Sequence, residues 1–170
     1  MRIVGIDGAT RKTGVSLFED KKLIEHRVID FSRMKDIDKR MCEMMLSIEA
    51  FLNEFKPDVI ACEDTWSKAN KFEKRNPKTD KMLARLGGAI WFWAISNQTD
   101  IHFLTPSCWR SAVGIKTGPG INRDMLKSQA IEKIEKDYGF TATDDEAEAI
   151  LIGASMPILL SSDDDDELFE

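Results

Sequence analysis

The sequence predicts an α/β fold, in which helices cover both faces of a mixed five-stranded sheet. Residues 2–31 hold three short segments rich in apolar and β-branched side chains, separated by polar turns. Two more short apolar segments follow, flanked by segments of helical periodicity. Strands joined by tight turns pair antiparallel and strands joined through helices pair parallel, so the sheet is expected to be mixed.

The N-terminal half begins with three strands, predicted over residues 2–7, 13–19 and 23–31, which form a meander. A strongly amphipathic helix is predicted over Asp36–Phe55, because apolar side chains recur there at i, i+3, i+4 and i+7. Pro57 ends this helix.

The middle of the chain continues with a short apolar strand over residues 58–63, typical of a central parallel strand. A polar, basic loop is predicted over residues 64–77 and a helix over residues 78–96. Two glycines inside a helix cost about 1 kcal/mol each relative to alanine, so we expect another segment to approach closely at Gly87-Gly88. The apolar run 90–95 is expected to lie in the core, with part of it available for a dimer contact.

The C-terminal half contains a fifth strand, predicted over residues 101–104, and Pro106 suits the first position of a short helix. Residues 114–120 hold three glycines and a proline and are predicted to form a loop. Asn122 is the predicted N-cap of a helix that runs to about Tyr138, where Gly139 stops it.

The last helix is predicted to begin after Thr143, with Glu146 completing a capping box. Pro157 is expected to kink or end it. We therefore assign residues 1–160 to one domain and residues 161–170 to an acidic tail that is expected to be disordered.

The charge of the chain is unevenly distributed. The net charge is −6, but six acids lie in residues 163–170, and without them the acids equal the 24 Lys and Arg residues in number. Between Trp66 and Arg85 seven bases stand against two acids. Such a local positive field suits a phosphate backbone, although an ordinary solvated loop has the same composition.

Several classes of protein are disfavoured by composition. No apolar run approaches the roughly 20 residues that a membrane helix needs, and no signal peptide precedes the first strand, so we expect a cytoplasmic protein without membrane association. The three cysteines are widely spaced, which indicates neither a disulfide framework nor a zinc site and favours buried free thiols.

Four acids are candidates for a shared site. Asp7 and Glu63 end two predicted strands, and sites in open α/β sheets form at the carboxyl ends of strands. Asp145 and Glu148 stand at i and i+3 on one helix and share a face. Clustered carboxylates suit Mg²⁺ or Mn²⁺, and two such ions about 3.5–4 Å apart can promote phosphodiester hydrolysis. Each acid alone is equally compatible with a turn or with a favourable helix-dipole interaction.

The order and spacing of four segments resemble RuvC-type Holliday-junction resolvases. They are GIDGATRKTGVSLF (5–18), IACED (60–64), LTPSCWRSAVGIKTGPGINRDMLK (104–127) and DEAEA (145–149). The resemblance implies a ribonuclease-H-like fold and assigns metal-binding catalytic roles to Asp7, Glu63, Asp145 and Glu148. It also implies a homodimer that nicks two opposed strands of a four-way DNA junction symmetrically.

The resemblance and the local charge together predict a DNA-binding surface. In the family the loop and helix after the catalytic Glu engage the junction, and Trp66 or Phe72 would stack near the crossover, although Trp66 could instead cover the core. The bases predicted to contact phosphates are Lys68, Lys71, Lys74, Arg75, Lys78, Lys81, Arg110, Lys116, Arg123 and Lys127.

Three features depart from the family pattern. Glu148 stands where Asp is usual, Asp144 could replace Asp145 as a ligand, and the acidic tail contrasts with basic bacterial relatives. A relative encoded by a phage or mobile element, working in a host cytoplasm, would fit. The alternatives are another ribonuclease-H-like nuclease acting on branched DNA or RNA, or a junction-binding protein with a decayed site. A phosphotransferase of the actin/sugar-kinase type needs two such domains, and 170 residues hold one.

Overall fold

The computed structural model describes residues 1–64 and 77–166, with side chains described as far as residue 162. Three strands come first, helices and strands then alternate as far as the fifth strand, and three helices follow it. The strands are β1 (Arg2–Asp7), β2 (Lys12–Glu19), β3 (Lys22–Asp30), β4 (Val59–Glu63) and β5 (Asp100–Leu104). The helices are α1 (Ile37–Phe55), α2 (Pro77–Ser96), α3 (Pro106–Ala112), α4 (Arg123–Tyr138) and α5 (Asp144–Asp166).

The sheet has five strands in the order β3-β2-β1-β4-β5. The meander β1-β2-β3 is antiparallel, whereas β1 pairs parallel with β4 and β4 pairs parallel with β5. This mixed sheet with helices on both faces confirms the predicted fold class.

The side chains of the sheet contribute to two hydrophobic cores, one on each face. On one face, Val4 and Ile6 of β1 pack with α1 and α2. On the other, Ile3 packs with α3, α4 and α5, where Trp109 and Ile150 are fully buried. The central strands therefore have apolar side chains on both faces, as their sequences indicate.

Helix α5 lies close against the first two strands because glycines face it. A Cβ on Gly5 would overlap the Ala149 carbonyl, and a Cβ on Gly14 would overlap that of Asp145. Gly153 on the helix itself leaves room for Phe18 and Ser16. This contact fixes the start of α5 at one edge of the sheet.

The predicted end of the last helix was wrong. We expected it to stop near residue 160, but α5 continues through Pro157 to Asp166. The rest of the acidic tail, residues 167–170, lies outside the described residues, so its expected disorder stays a prediction. One missing backbone N–H does not stop a helix whose flanking residues, such as Ile152 and Met156, are buried in the core.

Helix α2 departs from the sequence-based prediction in two respects. The run 90–95 was expected to be core, but only Ile90, Trp93 and Ala94 are buried, and its other three side chains are more than half exposed. No described atom lies within 4 Å of a Cβ placed on Gly88, so the close approach expected there does not occur among the described residues.

The structure also bears on the predictions about the cysteines and about membrane helices. Of the three free cysteines only Cys62 is buried, because Cys42 lies on the outer side of α1 and Cys108 is half-buried on α3. Among the described residues, no helix has the length and apolarity that a membrane span requires.

Candidate active site

Two of the four predicted acids end neighbouring strands. β1 and β4 pair parallel with Ile6 opposite Cys62, so Asp7 and Glu63 are the next residues in register at the same edge. The two strands on which these acids lie are therefore neighbours.

The other two acids lie in the first turns of α5, which reaches the same edge. Thr143 caps this helix: its hydroxyl accepts from the Glu146 N–H at 3.3 Å, and the Glu146 carboxylate accepts from the Thr143 N–H at 2.9 Å. This is the predicted capping box. Glu146 also lies 3.2 Å from His26 Nδ1 on β3, which ties the start of α5 to the meander.

The carboxylates interact strongly at this edge. Burial raises the pKa of Asp7 well above its ordinary value, and the charges of Glu148, Glu63 and Asp145 raise it further, while Arg110 acts in the opposite sense. Burial is also the main cause of the raised pKa of Asp145. The charges of the three other predicted acids thus all act on Asp7.

Asp144 and Asp145 have different surroundings. Asp144 forms an ion pair with Lys127 on α4, and the hydrogen bond from Lys127 lowers the pKa of Asp144. Asp145 instead acts on Asp7. The geometry therefore favours Asp145 over Asp144 as a member of the cluster.

Two residues of α3 hold the long carboxylates of the cluster. The Trp109 indole N–H donates to Glu63 Oε2 at 3.0 Å. Arg110 Nη2 donates to Glu148 Oε1 at 3.1 Å, and its guanidinium lies 4.7 Å from the centre of the Trp109 ring. Trp109 was not among the predicted site residues, and Arg110 was predicted to contact DNA phosphates. The available signal was a Trp-Arg pair in a short helix that begins directly after a strand.

The chemistry of the cluster fits a hard divalent cation. Four carboxylates supply oxygen ligands, and their repulsion leaves negative charge that Mg²⁺ or Mn²⁺ would neutralise. In the described part of the chain, no three acids, His or Cys already lie close enough together to hold one ion. Glu63 and Glu148 are held by Trp109 and Arg110.

The remaining DNA-binding candidates are distributed as follows. Trp66, Lys68, Lys71, Lys74 and Arg75, with Phe72, lie outside the described residues. Lys78 and Lys81 are exposed at the start of α2, and Arg123 is exposed at the start of α4. Lys127 is half-buried against Asp144, and the Arg110 side chain is only 17% exposed.

The backbone of Lys116 is hydrogen-bonded to a side chain of α4. This lysine lies exposed in the glycine-rich loop, where Gly114, Gly118 and Gly120 adopt positive φ. The Gln129 side chain on α4 accepts from the Lys116 N–H at 2.9 Å and donates to its carbonyl at 3.2 Å. The loop is therefore held to α4 while the Lys116 side chain extends into solvent.

An apolar cleft of about 340 Å³ borders the cluster in the described part of the chain. Glu63 and Gly8 form one end, and Gly87, Trp91 and Phe103 line the rest. Of the four acids, Glu63 lines this cleft between β4 and α2.

Comparison with known proteins places these features in a family. The family model "Crossover junction endodeoxyribonuclease RuvC" matches residues 3–138. The RuvC of Mycolicibacterium smegmatis is 29% identical over 154 residues, which cover 88% of this chain and 77% of that protein. The RuvC of Caldicellulosiruptor saccharolyticus is 28% identical over 111 residues, covering 62% of this chain and 63% of that protein.

Solved structures share the fold. Thermus thermophilus RuvC in complex with a Holliday junction substrate superposes with a TM-score of 0.71 at 15% identity, covering 95% of this chain and 96% of that one. The yeast mitochondrial Holliday junction resolvase Ydc2 gives a TM-score of 0.56 at 17% identity, covering 99% and 84%. Because the family model matches most of its length, this chain belongs to the RuvC family of crossover junction endodeoxyribonucleases.

Proposed function

We propose that this chain is a metal-dependent endonuclease that resolves Holliday junctions by hydrolysing phosphodiesters in DNA. The observation that carries the proposal is that Asp7 and Glu63 end neighbouring parallel strands, while the charges of Glu63, Asp145 and Glu148 all act on Asp7. Membership of the RuvC family supports the substrate, as does the junction bound to the T. thermophilus relative.

In this proposal the four carboxylates hold two Mg²⁺ or Mn²⁺ ions. The ions would activate water for attack on the phosphorus and stabilise the leaving 3′-oxygen. Asp7, Glu63, Asp145 and Glu148 are the residues that would hold the ions. The chain's own contribution is to position these oxygens on two strands and one helix that pack rigidly together.

The DNA would approach the edge of the sheet where the cluster lies. Lys116 and Arg123 are exposed in the glycine-rich loop and at the start of α4, and Lys78 and Lys81 are exposed at the start of α2. Side chains of this kind contribute positioning contacts with phosphates. Selectivity for a branched substrate would then come from the spacing of the phosphates, with Trp66 the candidate for stacking at the crossover.

We further propose that two copies of the chain form a homodimer through the outer faces of α1 and α2. Trp91, Phe92 and Ile95 of α2 are 51%, 67% and 56% exposed, and Leu46 of α1 is 53% exposed. Beside them lies a cleft of about 440 Å³ between the two helices. A contiguous apolar surface of this kind marks an interface, and two-fold symmetry would direct two sites at opposed strands of a junction.

Cleavage of synthetic DNA tests the proposal. With Mg²⁺ or Mn²⁺, we expect the protein to convert a four-way junction into nicked duplexes. Asp7→Asn should abolish cutting and leave junction binding intact. Asp100→Asn, which removes an exposed acid at the opposite end of β5, is the matched control and should cut normally.

Other outcomes would contradict the proposal. Equal cutting of linear duplex would reject junction selectivity, and preferential cutting of an RNA–DNA hybrid or a flap would identify another ribonuclease-H-like nuclease. Activity that survives Asp7→Asn would reject the site.

A further inference from the structure

The turn between β1 and β2 and the loop between β3 and α1 lie side by side at the edge of the sheet where β1 ends with Asp7. β1 and β3 are both antiparallel to β2, so their last residues lie at the same edge. Lys12 is opposite Asp30 in register, and the Phe31 N–H donates to the Arg11 carbonyl at 2.9 Å. Because neighbouring strands are roughly 5 Å apart, β3 lies roughly 10 Å from β1, on the side away from β4 and β5.

Exposed bases are concentrated in these two segments. Residues 8–12 and 31–35 contain Arg11, Lys12, Arg33 and Lys35, all exposed, and no acid. Within the described ranges, no carboxylate forms an ion pair with Arg11, Arg33 or Lys35. These three bases were not among the predicted DNA-binding residues, because they come from two separate stretches of sequence that only the sheet brings together.

The acids at the borders of the two segments are engaged in local contacts. Asp30 accepts from the Ser32 N–H at 2.8 Å and pairs with Lys12 at 3.5 Å. Asp36 is the N-cap of α1, where its carboxylate accepts from two backbone N–H groups at 3.0 Å. These two acids therefore do not neutralise the three other bases of the segments.

A buried arginine connects the two segments. Arg40 of α1 is only 4% exposed, and it donates from Nε to the Thr10 carbonyl at 2.7 Å and from Nη1 to the Met34 carbonyl at 2.6 Å. In the part of the chain that the structure describes, this guanidinium contacts no carboxylate. A buried charge without a counterion is unfavourable, and an anion bound nearby would offset that cost.

The segments are held in one arrangement close to the candidate active site. Arg11 Nη1 donates to the Ser32 carbonyl at 3.1 Å, which adds a further link between the turn and the loop. Burial raises the pKa of Asp145, and the positive charge of Lys12 opposes that shift. The electrostatic field of the segments therefore reaches the carboxylates at the start of α5.

We propose that Arg11, Arg33 and Lys35 form a phosphate-binding surface, the turn–loop surface, that holds the DNA backbone on the β2–β3 side of the active site. Arg40 supports it by holding both segments and by adding a buried positive charge. The bases assigned to DNA above follow β4 and β5 in the chain, whereas this surface belongs to strands on the other side of β1. Contacts of this kind position DNA without reading its sequence. The inference rests on the proposed function for its substrate.

Binding of a fluorescein-labelled four-way junction tests the turn–loop surface. Fluorescence anisotropy in EDTA, between about 50 and 200 mM NaCl, gives the slope of log K against log[salt], to which each phosphate contact contributes about 0.9. The triple variant Arg11→Gln/Arg33→Gln/Lys35→Gln should reduce the size of this slope by about two or more, and should bind about fiftyfold more weakly at about 100 mM NaCl.

The opposite edge of the same sheet offers a matched control. Lys21 and Lys22 lie where β2 connects to β3, and Lys56 follows α1; all three are exposed. Lys21→Gln/Lys22→Gln/Lys56→Gln removes the same charge from the protein and should change the slope by less than about half a unit. Arg11→Lys keeps the charge and should bind within about twofold of wild type.

The outcomes separate local phosphate contacts from a general effect of charge. Equal losses in both triple variants, or a wild-type slope in the turn–loop variant, would overturn the inference. If Arg11→Gln lowers the melting temperature, the pair Arg33→Gln/Lys35→Gln decides, because these side chains form no hydrogen bond or ion pair with described residues. A slope smaller by about one or more in that pair supports the surface, and a wild-type slope overturns it.

Failure of the proposed function is read separately, from cutting in Mg²⁺. A wild-type protein that binds junctions through the turn–loop surface and does not cut them would support this inference and reject junction resolution. A wild-type protein that cuts junctions, with turn–loop variants that bind as tightly as wild type, would retain the proposed function and overturn this inference.

Discussion

The charge on Asp7 opposes folding when no cation is present. Burial and three neighbouring carboxylates raise the pKa of Asp7 above its ordinary value of 3.8. An acid whose pKa is higher in the folded state binds more protons when folded, so its contribution makes stability fall as pH rises from about 4 towards the raised value. The acid that catalysis requires is thus a source of instability in the metal-free protein.

Asp7→Asn should therefore stabilise the metal-free protein at pH 8. We expect its free energy of unfolding to exceed that of wild type by about 1 kcal/mol or more, since one pKa unit corresponds to about 1.4 kcal/mol. This equals a melting temperature higher by roughly 2–4 °C. Thermal unfolding in EDTA between pH 4 and pH 8 measures the difference, which should shrink towards pH 4.

Excess Mg²⁺ provides the control, because a cation that binds only the folded state should stabilise wild type more than Asp7→Asn. A difference in melting temperature that is the same at every pH would show that the repulsion around Asp7 is not its cause.

Some of the site residues could be predicted from the sequence and others could not. Asp7 and Glu63 could be predicted because each ends an apolar strand, and strand polarity fixes where such ends meet. The choice between Asp144 and Asp145 could not, because it depends on Lys127, which reaches the first turn of α5 from a different helix. Trp109 was missed because its N–H contact with Glu63 spans 46 positions in the sequence.

At the level of elements, the position of α5 against β1 and β2 determines half of the candidate site. The backbone carbonyl of Asp145 lies where a Cβ on Gly14 would be, so the helix can approach only because that residue is glycine. The start of α5 cannot shift without moving Asp145 relative to Asp7.

Gly14→Ala should consequently damage both stability and catalysis. Overpacking of this kind costs about 1–3 kcal/mol, and the displaced helix would separate Asp145 from the other acids. Urea unfolding measures the first effect, and junction cleavage by the folded fraction measures the second.

Gly8→Ala is the matched control for stability, because its Cβ would meet Leu86 at an ordinary 3.5 Å. We expect that change to lie within about 0.5 kcal/mol of wild type or to be slightly stabilising. Equal losses from both substitutions would contradict the close-packing explanation.

Helix boundaries were predictable wherever a cap defines them. Asn122 accepts from the Met125 N–H at 2.9 Å and Gly139 ends α4 at a φ of 78°, as their residue types indicate. The end of α5 has no such cap, and Pro157 pointed to a kink or an earlier stop. Packing of the preceding turns in the core outweighs that local preference.

At the scale of the whole molecule, the negative net charge of −6 is compatible with DNA binding. α5 begins at the cluster and carries its acidic end away from it, and the rise from Asp145 to Asp166 is about 30 Å at 1.5 Å per residue. Charges at that distance are screened at physiological salt, where the Debye length is about 8 Å. The bases near the cluster therefore determine the local field.

The exposed apolar face of α1 and α2 leads to the last prediction. Phe92→Glu and Ile95→Glu place a charge on the proposed interface, and each should convert the dimer to a monomer in sedimentation experiments. Since a junction is resolved by two cuts on opposed strands, these variants should nick a plasmid cruciform once and linearise it rarely. Ile24→Glu is the matched control: Ile24 is 53% exposed on the edge strand β3, and its substitution should alter neither mass nor paired cutting. A wild-type protein that sediments as a monomer, or a Phe92→Glu protein that remains dimeric, would move the interface away from this face.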